Sequence, residues 1–252
     1  MLNPQAFLEK GLRKKIFLTF LYFIGFYKNI FFHATNEDEA NFIKNRLGSR
    51  CKIRIAPNVP RKLHSNKKTK LSLKKTISFV SLGRISTEKG TLRIINILKE
   101  INKPILLDLY GAIYDKDYWN KCMKMIKKLP KNITVNYKGF LESEEVPRVL
   151  EKYNFFVLLS DGENFGHSIL EAITAGLPVI ISDFTPWKKL KDKKIGFNVD
   201  LNDKKEILKA FNYFLDMNNN QYKLWSKQAS IYGYKFLTNP EILKKNVDLF
   251  KI

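Results

Sequence analysis

At 252 residues the chain is long enough for one large α/β domain or two small ones, and its 44% hydrophobic content supports a buried core. Its formal charge of +21 favours contact with anions such as diphosphates, acidic lipid headgroups or nucleic acid, although the abundance of Lys, Asn, Ile, Phe and Tyr is equally the bias that A/T-rich coding produces. Cys51 and Cys122 lie far apart and lack any C-x-x-C or Cys/His spacing, so neither a disulfide framework nor a zinc site is indicated and a reducing compartment is the default.

Residues Lys10 to Lys15 are basic, and Ile16 to Tyr27 (IFLTFLYFIGFY) is almost wholly apolar. A membrane span needs about 20 apolar residues and a signal peptide needs a small-residue cleavage site, so neither is expected. The segment is expected to be a buried helix, since apolar helical faces are more often core than anchor; the alternative is a basic-apolar helix lying on an acidic membrane surface. Ile30 to Ala34 is a short apolar run, Asn36 to Leu47 is a helix capped by Thr35 or Asn36, and Cys51 to Ala56 alternates like a strand. Pro57-Asn58-Val59-Pro60 breaks the pattern, and the Lys-rich stretch from Arg61 to Lys75 reads as a linker or loop.

From Thr76 short apolar runs alternate with longer periodic ones. Strands are predicted at Thr76 to Leu82, Ile105 to Tyr110, Ile133 to Tyr137, Phe155 to Leu159 and Val179 to Ser182. Helices are predicted at Gly90 to Glu100, Asp117 to Leu129, Glu144 to Tyr153 and His167 to Ala175, the last stopped by Gly176. Repeated β-α units of this length imply an α/β fold with a doubly wound parallel, Rossmann-like sheet, which binds ligands at the carboxyl ends of its strands. After Gly196 to Val199 two more helices are predicted, Lys204 to Met217 and Gln221 to Phe236, then a tail from Pro240 to Ile252. There is no internal repeat.

The stretch Ser160 to Val179, SDGENFGHSILEAITAGLPV, sets Glu163 and Glu171 around a glycine-containing loop that opens a helix. Backbone N–H groups near Phe165, Gly166 and His167, with the helix dipole, suit a diphosphate, while a Glu inside the helix suits ribose hydroxyls. That is a layout for a nucleotide sugar. Upstream, the block SLGRISTEKG from Ser81 to Gly90 places Arg84 and Lys89 after the first strand of the sheet.

These two blocks resemble the retaining glycosyltransferases of family 4, the group-1 transferases with a GT-B fold and an E-x7-E segment; the likeness runs from about His33 to about Phe214. The resemblance implies that Arg84 and Lys89 bind the diphosphate and stabilise the leaving group. It implies that Glu163 faces the donor sugar, and that Glu171 pairs with ribose. Gly83 and Gly166 would let backbone approach phosphate, or would serve only tight turns. Asn164 and Phe165 belong to the same donor loop. Phe140 and Leu141 follow Lys138-Gly139, where family members contact the base, though core packing explains them equally. His167 would donate to phosphate, or be a surface histidine at a helix start; Trp187 reads as packing. Asp115-Lys116-Asp117 matches the D-x-D metal motif of the other large glycosyltransferase fold, but stands where Asp caps a helix, so no metal or other cofactor is expected.

By the same resemblance, residues 1–60 would be a remnant of an N-terminal acceptor-side domain, 61–75 a linker, 76–220 the nucleotide-sugar-binding domain, and 221–252 helices returning toward the N-terminal domain. The implied function is transfer of a sugar from a UDP- or GDP-linked donor to a glycan or lipid-linked acceptor in bacterial surface polysaccharide assembly. The alternative is a donor-binding half that needs a partner chain carrying the missing N-terminal domain. The implied location is cytoplasmic, with peripheral contact at the inner face of an acidic membrane. Nucleic-acid binding has only lysine abundance behind it and none of the recognised motifs.

Overall fold

The computed structural model describes residues 11–48, 51–59, 73 and 76–251. It divides into two compact units, Met1–Pro60 with Asn239–Ile252, and Arg61–Thr238. The expected linker 61–75 lies outside the described residues apart from Leu73, whose amide donates to Asn219 Oδ1 at 3.0 Å.

In the first unit, α1 (Gly11–Phe23) leads through Gly25 into a single 3₁₀ turn, Phe26–Asn29. Strands β1 (Phe31–Ala34) and β2 (Lys52–Ile55) pair in parallel, Phe31 opposite Lys52 and Ala34 opposite Ile55. Between them runs α2 (Glu37–Leu47). Of its two candidate caps Asn36 does the work: its side chain accepts the Glu39 amide at 2.8 Å, and the Glu39 carboxylate accepts the Thr35 amide and hydroxyl at 2.8 and 2.7 Å. Glu37, Asp38 and Glu39 in its first turn and Lys44 and Arg46 in its last complement the helix dipole.

The apolar segment near the start departs from expectation. Leu18 and Leu21 pack on the small cluster of Tyr27, Ala34, Ala40, Ile43 and Leu47, but Phe17 is 61% exposed, Phe20 60% and Phe23 80%. A helix apolar on every face can turn only one stripe to so small a core. Among the described residues no helix is long and apolar enough to cross a membrane.

The C-terminal stretch is likewise more than a tail. It forms α9 (Pro240–Asp248), started by the Asn239 side chain accepting the Glu241 amide at 3.0 Å, with Pro240 at the first position. Arg54 fastens its far end: Nη1 donates to the carbonyls of Asp248, Leu249 and Lys251 at 2.9, 2.8 and 2.6 Å, a cation placed on the negative pole of the helix.

The second unit is a six-stranded sheet made of β3 (Ile77–Leu82), β4 (Ile105–Tyr110), β5 (Ile133–Tyr137), β6 (Phe155–Leu158), β7 (Val179–Ser182) and β8 (Gly196–Val199). All neighbours are parallel, in the order β5-β4-β3-β6-β7-β8. The connecting helices are α3 (Thr91–Leu98), α4 (Lys116–Ile126), α5 (Val146–Leu150) and α6 (His167–Thr174); α7 (Lys204–Leu215) and α8 (Asn219–Leu237) follow the sheet. The short stretch Gly196–Val199, which the sequence pattern leaves unassigned, closes the sheet as its edge strand.

Alternation along the strands sends side chains to two separate cores. Phe79, Phe155 and Val157 meet Phe211, Phe214 and Trp225 on one face, where Phe155 and Phe214 stack with centroids 4.3 Å apart. Val80, Phe156 and Leu158 meet Ile169, Ile173 and Ala229 on the other. Burial on both faces is what parallel strands require, and it explains why β6 is an uninterrupted apolar run. This is the α/β, doubly wound parallel architecture expected from the alternating pattern. Order reverses between β3 and β6, which opens a crevice at their carboxyl ends.

Candidate functional site

Both sequence blocks end at that crevice. The loop after β3 runs from Gly83 through Arg84 to a 3₁₀ turn, Thr87–Lys89, and enters α3 through Gly90. The loop after β6 runs from Ser160 to Gly166 and enters α6. They meet in an ion pair: Lys89 Nζ lies 2.5 Å from Glu163 Oε1, with side chains only 21% and 12% exposed. Partial burial makes this pair stronger than a surface pair, and makes loss of either partner costly.

Three further bonds lock the loops together. The Asp161 amide donates to the Glu88 carbonyl at 2.8 Å. Arg93, on the first turn of α3, donates from Nη1 to the Leu159 carbonyl at 2.5 Å and from Nη2 to Asp161 Oδ1 at 2.8 Å. Gly90 has φ 70, and a Cβ there would fall 2.0 Å from the Leu159 carbonyl oxygen, so the close approach needs glycine. Sequence reasoning missed Arg93 and Asp161, because the main partner of Arg93 is a backbone carbonyl brought near only by β3 pairing with β6.

Arg84 stands exposed on the same loop as Lys89, its guanidinium 4.9 Å from the centre of the Tyr114 ring. Gly83 borders Lys89: a Cβ added there would lie 3.6 Å from Lys89 Cδ. Glu88, beside them, is held below the usual carboxylate range, first by the Ser86 hydroxyl, then by its own amide and by the charges of Arg84 and Lys89. The Ser160 hydroxyl, at the carboxyl end of β6, is buried without a hydrogen-bond partner among the described residues. The Glu163 amide donates to the Phe184 carbonyl at 3.1 Å, tying in the loop after β7.

Asn164 and His167 are exposed on the second loop and at the start of α6, and Glu171 is half-buried one turn further on. Phe165 differs from expectation at the level of its ring. It is 6% exposed and packs on Trp187 and Phe236 with centroids 5.7 and 5.9 Å away, so it serves the core. Its carbonyl accepts the Trp187 indole N–H at 2.6 Å, which gives Trp187 its packing role and fixes the entry to α6. The loop after β5 reaches the crevice rim, where the Gly111 amide donates to the Gly139 carbonyl at 2.8 Å; Leu141 packs against the core and Phe140 is 66% exposed.

Asp115 is a helix cap, its Oδ1 accepting the Tyr118 amide at 2.9 Å. Among the described residues no group of three His, Cys, Asp or Glu side chains could hold a metal ion. The arrangement therefore offers an anion two cations on one rim and a helix start, with carboxylates at the flank. This suits a ligand that is a diphosphate at one end and rich in hydroxyls at the other.

Comparison with known proteins agrees with this geometry. The chain is 25% identical over 189 residues to an uncharacterized glycosyltransferase of Methanocaldococcus jannaschii, covering 72% of this chain and 46% of that protein. It is 34% identical over 117 residues to the 2-deoxystreptamine N-acetyl-D-glucosaminyltransferase of Niallia circulans, covering 46% of this chain and 29% of that one. The chain thus spans less than half the length of these relatives. Among solved structures, Anabaena HepE in complex with UDP-glucose superposes with a TM-score of 0.76 at 15% identity, covering 100% of this chain and 70% of that one. The sucrose-phosphate synthase of Thermosynechococcus elongatus gives 0.72 at 17% identity, covering 93% and 60%. These likenesses show a GT-B fold. The family described as glycosyl transferases group 1 matches residues 64–231, two thirds of the sequence and all of the crevice, and the chain belongs to that family.

Proposed function

We propose that this chain carries the donor site of a retaining glycosyltransferase of family 4, which moves a sugar from a UDP- or GDP-linked donor to a glycan or lipid-linked acceptor in surface polysaccharide assembly. The observation that carries the reading is the Lys89–Glu163 pair, which joins the two motif loops at the switch point with Arg84 on the same rim. An ammonium has three donors; Glu163 takes one, leaving two for phosphate oxygens as negative charge builds on the departing diphosphate. Arg84 supplies a second cation from an exposed position beside the Tyr114 ring. Glu163, held against Lys89, would face the sugar hydroxyls and the charge developing at the anomeric carbon. Glu171 would grip ribose through charge-assisted hydrogen bonds of about 1.5 to 3 kcal/mol. No metal takes part, because side-chain cations and the start of α6 do the electrostatic work.

A panel of nucleoside diphosphates and their sugars, read by thermal shift on the parent and on Glu171→Ala, tests this. UDP or GDP at a hundred times its Kd should stabilise the parent by about 2.7 kcal/mol, and the variant far less. No shift with any nucleotide, or an equal shift in both proteins, would refute the reading.

A second reading is favoured by the first unit: the chain holds the donor but needs a partner chain, seated on that unit, before it transfers anything. Its two-stranded parallel sheet and the exposed aromatic face of α1 support that need. The same face, with Arg13 beside it, supports peripheral contact with the inner, acidic surface of a cytoplasmic membrane. Turnover of a nucleotide sugar by the purified chain alone would decide against the second reading.

A further inference from the structure

A second concave surface lies on the β8 side of the sheet. Between the carboxyl ends of β7 and β8 and the flank of α7 is a cavity of about 470 Å³ whose walls include Lys188, Lys189, Lys191 and Lys209. Its apolar side contains Phe197 and Tyr213, edge to face with centroids 5.2 Å apart. Two carboxylates, Asp183 and Glu206, also border it, and Glu206 already accepts the Asp200 amide at 2.9 Å.

None of the four ammonium groups pairs with a carboxylate among the described residues; Lys188 donates to the Asp183 backbone carbonyl instead. Four ammonium groups against two carboxylates leave the hollow with an excess of positive charge, which a bound anion would offset. The loop that presents them is anchored. Leu190 is fully buried, its amide donates to Asn198 Oδ1 at 3.2 Å, and Asn198 Nδ2 donates to the Trp187 carbonyl at 2.6 Å. Its backbone is also held in an uncommon shape, with Lys189 at φ 55 and Lys194 at φ 56, the left-handed region that side-chain-bearing residues avoid. Lysines that serve only solubility need neither a pinned loop nor a left-handed backbone.

We propose that this cavity is a second anion site, which takes a phosphate or pyrophosphate group of a ligand other than the one at Arg84 and Lys89. The lysines neutralise the phosphate and the Phe197–Tyr213 wall contacts the apolar or sugar part attached to it. Phe184, two residues beyond β7, accepts the Glu163 amide, so the loop that leads to the cavity also frames the crevice. The site itself stands whether or not the crevice binds a nucleotide. The same chemistry is found in a soluble phosphate ester and in an acidic lipid headgroup.

The test compares the parent with a cavity variant, Lys189→Asn, Lys191→Gln and Lys209→Gln, where Asn tolerates the left-handed backbone. A decoy variant, Lys124→Gln, Lys127→Gln and Lys128→Gln, loses the same charge from the exposed side and end of α4. Inorganic pyrophosphate is titrated by calorimetry, and binding to phosphatidylglycerol vesicles is measured by co-sedimentation. We expect the cavity variant to lose one equivalent of pyrophosphate, or at least tenfold in vesicle affinity, while the decoy matches the parent. Loss with pyrophosphate identifies a soluble source; loss with vesicles alone identifies a lipid headgroup. Equal loss in both variants, or no binding of either probe to the parent, overturns the proposal. Thermal melts of all three proteins confirm that the comparison is between folded chains.

Discussion

The two units solve the same packing problem with unequal means. In the second, six parallel strands are covered by helices on both faces, and every side chain of β6 is buried. In the first, two parallel strands are accompanied by α1, α2 and α9 with a cluster of five buried apolar side chains, and most of α1 faces outward among the described residues. Parallel strands have no polar face to offer water, so a sheet of them is stable in proportion to its cover. The precise loop geometry of the crevice is found on the well-covered sheet, as preorganised chemistry demands.

Substitutions at two glycines of similar backbone shape sharpen this contrast most. Gly90→Ala in the second unit drives a methyl group into the Leu159 carbonyl, whereas Gly25→Ala in the first, at φ 71, meets nothing within 4 Å. The first should cost more than about 3 kcal/mol and the second only about 1 to 2 kcal/mol, the left-handed penalty alone. Chemical denaturation of both variants checks this; equal losses would mean the crevice loops are not locked as described.

A smaller effect is expected from alkali. Burial pushes the Cys122 thiol up to about 11 and the Tyr118 phenol up to about 12. Both folded-state values lie above their unfolded ones, so the stability these groups contribute is intact below about pH 9 and is lost as pH rises through about 11 to 12. For the thiol the loss is roughly 2 to 3 kcal/mol. Cys122→Ala should flatten the fall in melting temperature between these pH values, and an unchanged slope would contradict the assignment.

The smallest change is expected on α1. Replacing Phe17, Phe20 and Phe23 together by Ser should alter stability by only about 0.5 kcal/mol per site, because these rings are exposed. It should reduce self-association or vesicle binding, measured by light scattering and co-sedimentation. A large drop in melting temperature would show that the face is covered after all.

Much of this was legible in the sequence. Alternation and glycine punctuation gave the parallel sheet, and the spacing of Lys89 and Glu163 after their strands anticipated that they share a crevice. What was hidden depended on distant partners. Phe165 looked like a loop residue until Trp187 and Phe236 closed over it, and Arg93 looked like an ordinary helix residue until β6 arrived beside it. The helix at Pro240 is a different case, since Asn239, Pro240 and Glu241 spell a start signal in the sequence itself. For α1, hydrophobicity was plain but the amount of core available to receive it was not.

The bond between Lys89 and Glu163 also constrains how this sequence can diverge. The two residues are 74 positions apart, yet each is the counter-charge that makes the other tolerable in a half-buried place. A change at one end therefore leaves a stranded ion at the other, and descendants of this chain can wander at these two positions only in step, as a couple, or not at all.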